Sequence, residues 1–161
     1  MNLSIEGIPA ADATRLRNGG VDANGQPPQV HIASGGRNPC RHCLQPIANG
    51  EEMLVLAYRP FDRLQPYAEC GPIFLHRRDC ERYVSDHLPG WFEHLSPAVI
   101  RGYGSDNVIR YETGDVVDGK ELTGACERIL SDRNVTYVHI RSKFNCFQCR
   151  VDRAGTSGFA Q

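Results

Sequence analysis

The sequence predicts an α+β fold, mostly antiparallel sheet with two to four helices, on three observations. Segments of strand character outnumber helical ones. Most joins between them are too short for the crossovers that parallel strands require. One stretch, residues 119–132, carries an unbroken helical stripe, with Leu122, Ala125, Cys126, Ile129 and Leu130 at i, i+3, i+4, i+7 and i+8.

Along the chain, Leu3 to Ile5 reads as a strand and residues 9–16 as a helical turn. Residues 17–28 are rich in Gly, Asn and Pro and predict a mobile loop. Gln29 to Ala33 form a second strand candidate. Met53 to Tyr58 are apolar on both phases of a strand, which predicts a central strand covered on both sides. After a connection containing Pro60 and Pro66, residues 72–75 are again strand-like. Residues 79–88 place Cys80, Tyr83, Val84 and Leu88 on one helical face before Pro89 and Gly90, so a helix is expected there. Trp91, Phe92 and Leu95 make a short packed turn. A hairpin follows, residues 99–103 with 108–111 around Gly104, Ser105, Asp106 and Asn107. Asp118 is placed to cap the long helix, with Glu121 in capping-box register. Residues 135–141 and 147–151 close the chain as two strands.

The length of 161 residues suits a single domain over residues 1–161. A chain of this size buries roughly 70% of its unfolded surface, so a metal would stabilise one region rather than rescue the whole fold. Lys and Arg number 18 against 19 Asp and Glu, and a net charge of -1 gives no global field to attract nucleic acid or an anionic membrane. No apolar run approaches the ~18 residues of a membrane span, so no membrane partner is expected. The N-terminus lacks the basic start and apolar stretch of a secretion signal. Seven cysteines, an odd number, fit poorly with a fully paired secreted framework. A reducing cytoplasm, with metal-bound or free thiols, is the expected setting.

The chemistry of the sequence is concentrated between residues 40 and 83. Cys40 and Cys43 form a tight pair flanked by Pro39 and Pro46, which suits a turn. His76 and Cys80, with three residues between them, form a second pair where a strand ends. Two closely spaced pairs of soft ligands are the usual supply for a tetrahedral structural zinc, so Cys40, Cys43, His76 and Cys80 are the candidate ligands of a zinc cofactor clamping residues 40–83. Of the four, His76 owes its place to its spacing from Cys80 alone. Cys146 and Cys149 are a rival pair. In an extended strand they point to opposite faces and cannot chelate one ion together. Cys126 belongs to the helix stripe, and Cys70 reads as a free thiol in a loop. Redox work at either Cys-x-x-Cys is a weaker alternative, because neither pair heads a helix after a parallel strand.

A second candidate site comes from alternation. In residues 135–141, Tyr137, His139 and Arg141 share one phase; in residues 147–152, Gln148 and Arg150 do. Paired as a hairpin, Tyr137, His139, Arg141, Gln148 and Arg150 form one patch able to hold a carboxylate or phosphate. A solvated outer sheet face explains the same residues more simply. An enzyme acting on an anionic small molecule at this face is therefore the alternative to a binding or interaction module.

Two resemblances add to this reading. Residues 40–83 resemble a treble-clef zinc finger, the group that includes LIM-type domains, through the Cys40/Cys43 knuckle, the Ile47 to Glu51 hairpin, and a His and Cys leading into an expected helix. The chain departs from that pattern in having three residues between His76 and Cys80. Residues 39–44, 54–61, 66–76 and 137–153 resemble an uncharacterised bacterial family, domain of unknown function 1203. That resemblance implies a small bacterial domain of about this length and brings no substrate, partner or catalytic residue.

Overall fold

In the computed structural model, residues 2–35 and 38–156 are described. They contain nine strands and two α-helices, all strand pairs within the sheets being antiparallel. In chain order the elements are β1 (Leu3–Glu6), α1 (Ala10–Arg17), β2 (Gln29–Ile32), β3 (Glu52–Tyr58), β4 (Gly71–His76), β5 (Val84–Ser85), β6 (Ala98–Tyr103), β7 (Ile109–Val117), α2 (Leu122–Leu130), β8 (Tyr137–Ser142) and β9 (Phe147–Arg153). Short 3-10 turns at Gly90–His94 and Gly119–Glu121 precede β6 and α2. Six strands form one sheet in the order β5-β1-β9-β8-β6-β7, and β2-β3-β4 form a second.

Each sheet owns a core. On the large sheet, Ile5, Ile100, Val138, Ile140, Cys149 and Val151 pack against Leu122, Ala125, Cys126, Ile129 and Leu130, the predicted stripe of α2. Leu122 and Leu130 are fully buried and contribute roughly 2 kcal/mol each. The capping box forms as read: the Asp118 side chain accepts from Lys120 N, and Glu121 accepts from Asp118 N. The second core joins Met53, Leu54 and Leu56 of β3 and Ile73 and Leu75 of β4 to Ile8, Leu16, Cys40, Ile47 and Phe147. β3 is the central strand of its sheet and buries residues of both phases, as its apolar sequence predicts.

Residues 79–88 are the main departure. No helix forms there; the backbone is extended and ends in β5. Its hydrogen bonds go to neighbours instead of to its own next turn. Tyr83 N donates to His42 O at 2.9 Å, Gly7 N donates to Tyr83 O at 2.9 Å, and Val84 and Ser85 pair with Glu6 and Ile5. Arg82 fixes the segment by donating to Gly7 O and Glu6. The free edge of β1 outcompetes a weak local helix preference. The helix that a treble clef would place behind Cys80 is absent, and residues 47–51 form a turn rather than a separate hairpin.

Arg17 ends α1, and residues 18–28 connect it to β2 without helix or strand, organised around Asp22, whose carboxylate accepts from the backbone N–H of Asn24, Gln26 and Ala57. No described helix is long and apolar enough to cross a membrane.

Candidate metal centre

The knuckle is shaped by the backbone before any metal is considered. Cys40 N donates to Gln45 O at 2.9 Å, and Pro39 bridges to Pro46, so residues 39–46 fold back on themselves. Leu44 closes the turn in the left-handed region at φ 53, held there by burial and by the Trp91 indole, which donates to its carbonyl at 2.7 Å. Cys40 also bridges to Phe74 of β4, with Arg41 N donating to Phe74 O at 2.9 Å. Two residues beyond Phe74 is His76, the last residue of β4, so the strand delivers the imidazole beside the knuckle. Arg41 locks the join from below: its guanidinium donates to Phe147 O at 2.6 Å and to Pro39 O, and lies over the Phe74 ring. Burial pulls its pKa down to about 10.

Cys40, Cys43, His76 and Cys80 meet, with all four ligand atoms within 4.8 Å of one another. Cys40 and Cys80 are 3.9 Å apart at sulfur, and Cys43 Sγ lies 3.4 Å from His76 Nδ1. A zinc tetrahedron with ordinary bond lengths has edges of about 3.8 Å between sulfurs and about 3.6 Å between sulfur and nitrogen. The two separations lie close to those edges, so the four residues could hold a metal ion, with His76 Nδ1 the ring nitrogen nearest Cys43. Hydrogen bonding from Cys43, then from Cys80, holds the Cys40 thiol below its ordinary range. The bond to Cys40 pushes both Cys43 and Cys80 up. Three crowded sulfurs thus share protons, and a dication in their place would allow all three to ionise.

Two further residues complete the surroundings. His76 Nε2 lies 3.5 Å from Glu51 Oε2, the carboxylate–histidine arrangement that fixes which ring nitrogen faces a metal. Arg17, at the end of α1, donates through Nη2 to Cys80 Sγ at 3.1 Å and through Nε to His76 O at 3.0 Å. Three thiolates holding a dication would carry one net negative charge, which this guanidinium would balance. Sequence spacing offered no pointer to Arg17, because 63 residues separate it from Cys80. Glu51 was within reach, since it belongs to the Ile47 to Glu51 stretch already singled out.

The remaining thiols lie apart. Cys126 and Cys149 are buried in the first core, where burial pushes Cys126 up to about 12 and Cys149 well up. Cys146 lines a cleft instead, together with the exposed Cys70.

The structure places Tyr137, His139, Arg141 and Arg150 on one face of the β8–β9 pair, with His139 opposite Arg150 and Tyr137 opposite Asp152. That face is not solvated. A register shift between Ile140 and Arg141 sets Phe147 opposite Arg141, so Phe147 joins the second core and not the Cys149 side that simple alternation predicts. Gln148 sits in the bulge, buried, and donates to Cys146 O. His139 is 0% exposed and touches the rings of Phe61, Tyr103, Tyr137 and Phe147. Tyr137 donates to Asn107 at 2.8 Å, and Arg150 forms a two-point pair with Asp152 while lying 3.9 Å above the Tyr137 ring. Arg141 lines a cleft of about 400 Å³ between residues 58–72 and 141–147.

Burial, with the nearby charges of Arg141, Arg150 and Arg101, holds His139 well below the ordinary histidine range. As pH falls below about 6.5, the unfolded chain takes up a proton at this residue while the folded protein does not. Stability at His139 is thus fully present above pH 6.5 and is lost below it, at up to roughly 1.4 kcal/mol per pH unit. Urea unfolding between pH 7 and 5 should show this slope in the wild type. It should be shallower in His139→Phe; equal slopes would mean that His139 does not stay neutral.

Comparison with curated proteins and with solved structures finds no match. The model of a protein family of unknown function, DUF1203, matches residues 37–153, a span holding all four candidate ligands and both walls of the cleft. The chain belongs to that family.

Proposed function

We propose that Cys40, Cys43, His76 and Cys80 bind one zinc ion, and that the ion serves structure rather than reaction. The carrying observation is the agreement of the ligand distances, 3.9 Å and 3.4 Å, with the edges of a zinc tetrahedron. Tetrahedral sulfur and nitrogen donors favour zinc over hard cations. Four protein ligands fill the coordination shell and leave no position for a substrate or water, which is the pattern of structural sites. The ion would tie the knuckle to the end of β4 and to the extended segment around Cys80, clamping residues 40–83. On this reading the protein is a zinc-stabilised binding or interaction module working in a bacterial cytoplasm, where the thiols stay reduced.

Metal analysis of the purified protein tests the proposal. About one zinc per chain is expected in the wild type, and a large loss in Cys43→Ser. A wild type free of zinc, or a Cys43→Ser variant that keeps a full equivalent, would sink the assignment.

A further inference from the structure

The cleft beside Arg141 has the chemistry of a ligand site that is separate from the metal centre. Its floor and walls are Tyr58, Pro60 and Pro72 on one side and Arg141, Phe144 and Phe147 on the other, with Glu69 at its edge. Its volume of about 400 Å³ is in the range of small-molecule pockets. The lining is about equally polar and apolar, its flat apolar part coming from Tyr58, Phe144, Phe147 and the two prolines, with Cys70, Asn145 and Cys146 beside them. Phe144 is 76% exposed on the β8–β9 turn that borders the cleft, with the Lys143 ammonium over its ring.

The polar groups converge on an arginine that is not satisfied. Arg141 is 4% exposed, and its Nη1 donates to Asn145 O at 3.1 Å. Nη2 lies 3.0 Å from Glu69 Oε2 without hydrogen-bond geometry, and Nε has no hydrogen-bond partner among the described residues. Leaving a buried guanidinium N–H unmade is costly, and such groups call for an explanation. Glu69 is shared: Arg101 Nη1 donates to both of its oxygens, at 3.1 and 2.9 Å. Two guanidiniums therefore face one carboxylate, which leaves one of the two buried guanidinium charges unmatched; Lys143, over the Phe144 ring, stands in solvent.

We propose that this cleft binds a small monocarboxylate with a flat apolar body. The ligand's carboxylate would pair with Arg141, whose planar fork suits two-point contact with it. Its body would lie among Phe144, Tyr58 and Phe147. A single ligand charge matches the single unmatched guanidinium charge, which favours a carboxylate over a phosphate dianion. Glu69 already shows this chemistry, since its own carboxylate bridges Arg101 and Arg141. It is 40% exposed and acts as an internal competitor for the ligand.

Phenylacetate serves as the probe, with phenylacetamide as its neutral counterpart and phenyl phosphate as the dianion. Binding to the full chain is followed by amide and arginine side-chain NMR shifts, and zinc content is measured on the same samples. The second readout separates failure of the cleft from failure of the metal assignment. Phenylacetate should shift Phe144, Asn145 and the Arg141 side chain saturably, at least 10-fold more tightly than phenylacetamide and more tightly than phenyl phosphate. Arg141→Gln should abolish the effect. Because loss of a buried arginine can disturb folding, two exposed substitutions provide the independent check. Glu69→Gln, which removes the competitor, should tighten phenylacetate binding at least 3-fold, and Phe144→Ala should weaken it by a similar factor. Equal binding of the acid and the amide overturns the proposal, as does tighter binding of the phosphate. Glu69→Gln and Phe144→Ala variants that bind like the wild type also overturn it.

Discussion

Removing the metal with a chelator should cost the protein about 4 kcal/mol of stability, the linkage energy when free zinc stands near a thousand times its dissociation constant. The loss should be local before it is global. All four candidate ligands lie outside the first core, which α2 and the large sheet form with Phe92 and with Leu44 as the knuckle's one contribution. Cys40 belongs to the second core, with Cys80 packed against its edge. Hydrogen exchange should therefore accelerate in the knuckle, residues 38–47, and along residues 71–83, while α2, β6 and β7 keep their protection. Cys40→Ser should reproduce the pattern. Cys40 is the most buried ligand sulfur and also accepts from His76 N, so a hydroxyl there loses both the metal and its packing. Uniform loss of protection would mean that the two cores are not separable. An unchanged exchange map would mean that the cluster carries no structural metal.

Gly7→Ala should destabilise the protein by about 3 kcal/mol, more than a typical small-to-large change in a packed interior. A Cβ at this residue would stand 1.9 Å from His42 O and 2.7 Å from His42 C, both backbone atoms of the knuckle. The contact cannot be relieved by turning a side chain. The surrounding hydrogen bonds hold both strands of chain in place: Gly7 N to Tyr83 O, Ile8 N to Arg41 O, Tyr83 N to His42 O, and His42 Nδ1 to Ile8 O. Relief requires the chain after β1 to part from the turn between Cys40 and Cys43. The variant should also bind zinc more weakly than the wild type, although no ligand is altered. Chemical denaturation followed by competitive zinc titration checks both effects. A Gly7→Ala variant as stable as the wild type would contradict the close backbone approach.

Local signals read well wherever local interactions decide. The stripe of α2, its capping box at Asp118 and Glu121, and the doubly apolar β3 are all determined within about ten residues of chain. The Cys40, Cys43, His76 and Cys80 cluster was legible for the same reason, since each pair is a short-range spacing and the two pairs have complementary chemistry. Residues 79–88 were not, because their apolar spacing fits a helix while their backbone partners lie on β1 and in the knuckle. The β8–β9 face failed differently. Alternation grouped Tyr137, His139, Arg141 and Arg150 correctly, but it carries no information about what covers a sheet. Phe61, from the connection after β3, lies against both Tyr103 and His139 and helps close that face. The bulge beside Arg141 then turned Phe147 to the opposite side. Arg17 and the Arg101–Glu69–Arg141 cluster depend on contacts between distant parts of the chain, for which a single sequence offers no spacing.

X-ray absorption at the zinc K-edge of the purified protein tests the central claim most directly, because it reports the donor atoms themselves. A four-coordinate shell is expected, with three sulfurs at about 2.3 Å and one nitrogen at about 2.0 Å, and His76→Cys should convert it to four sulfurs. A shell dominated by oxygen, a five- or six-coordinate ion, or a shell unchanged by His76→Cys would contradict the closed Cys40, Cys43, His76 and Cys80 site.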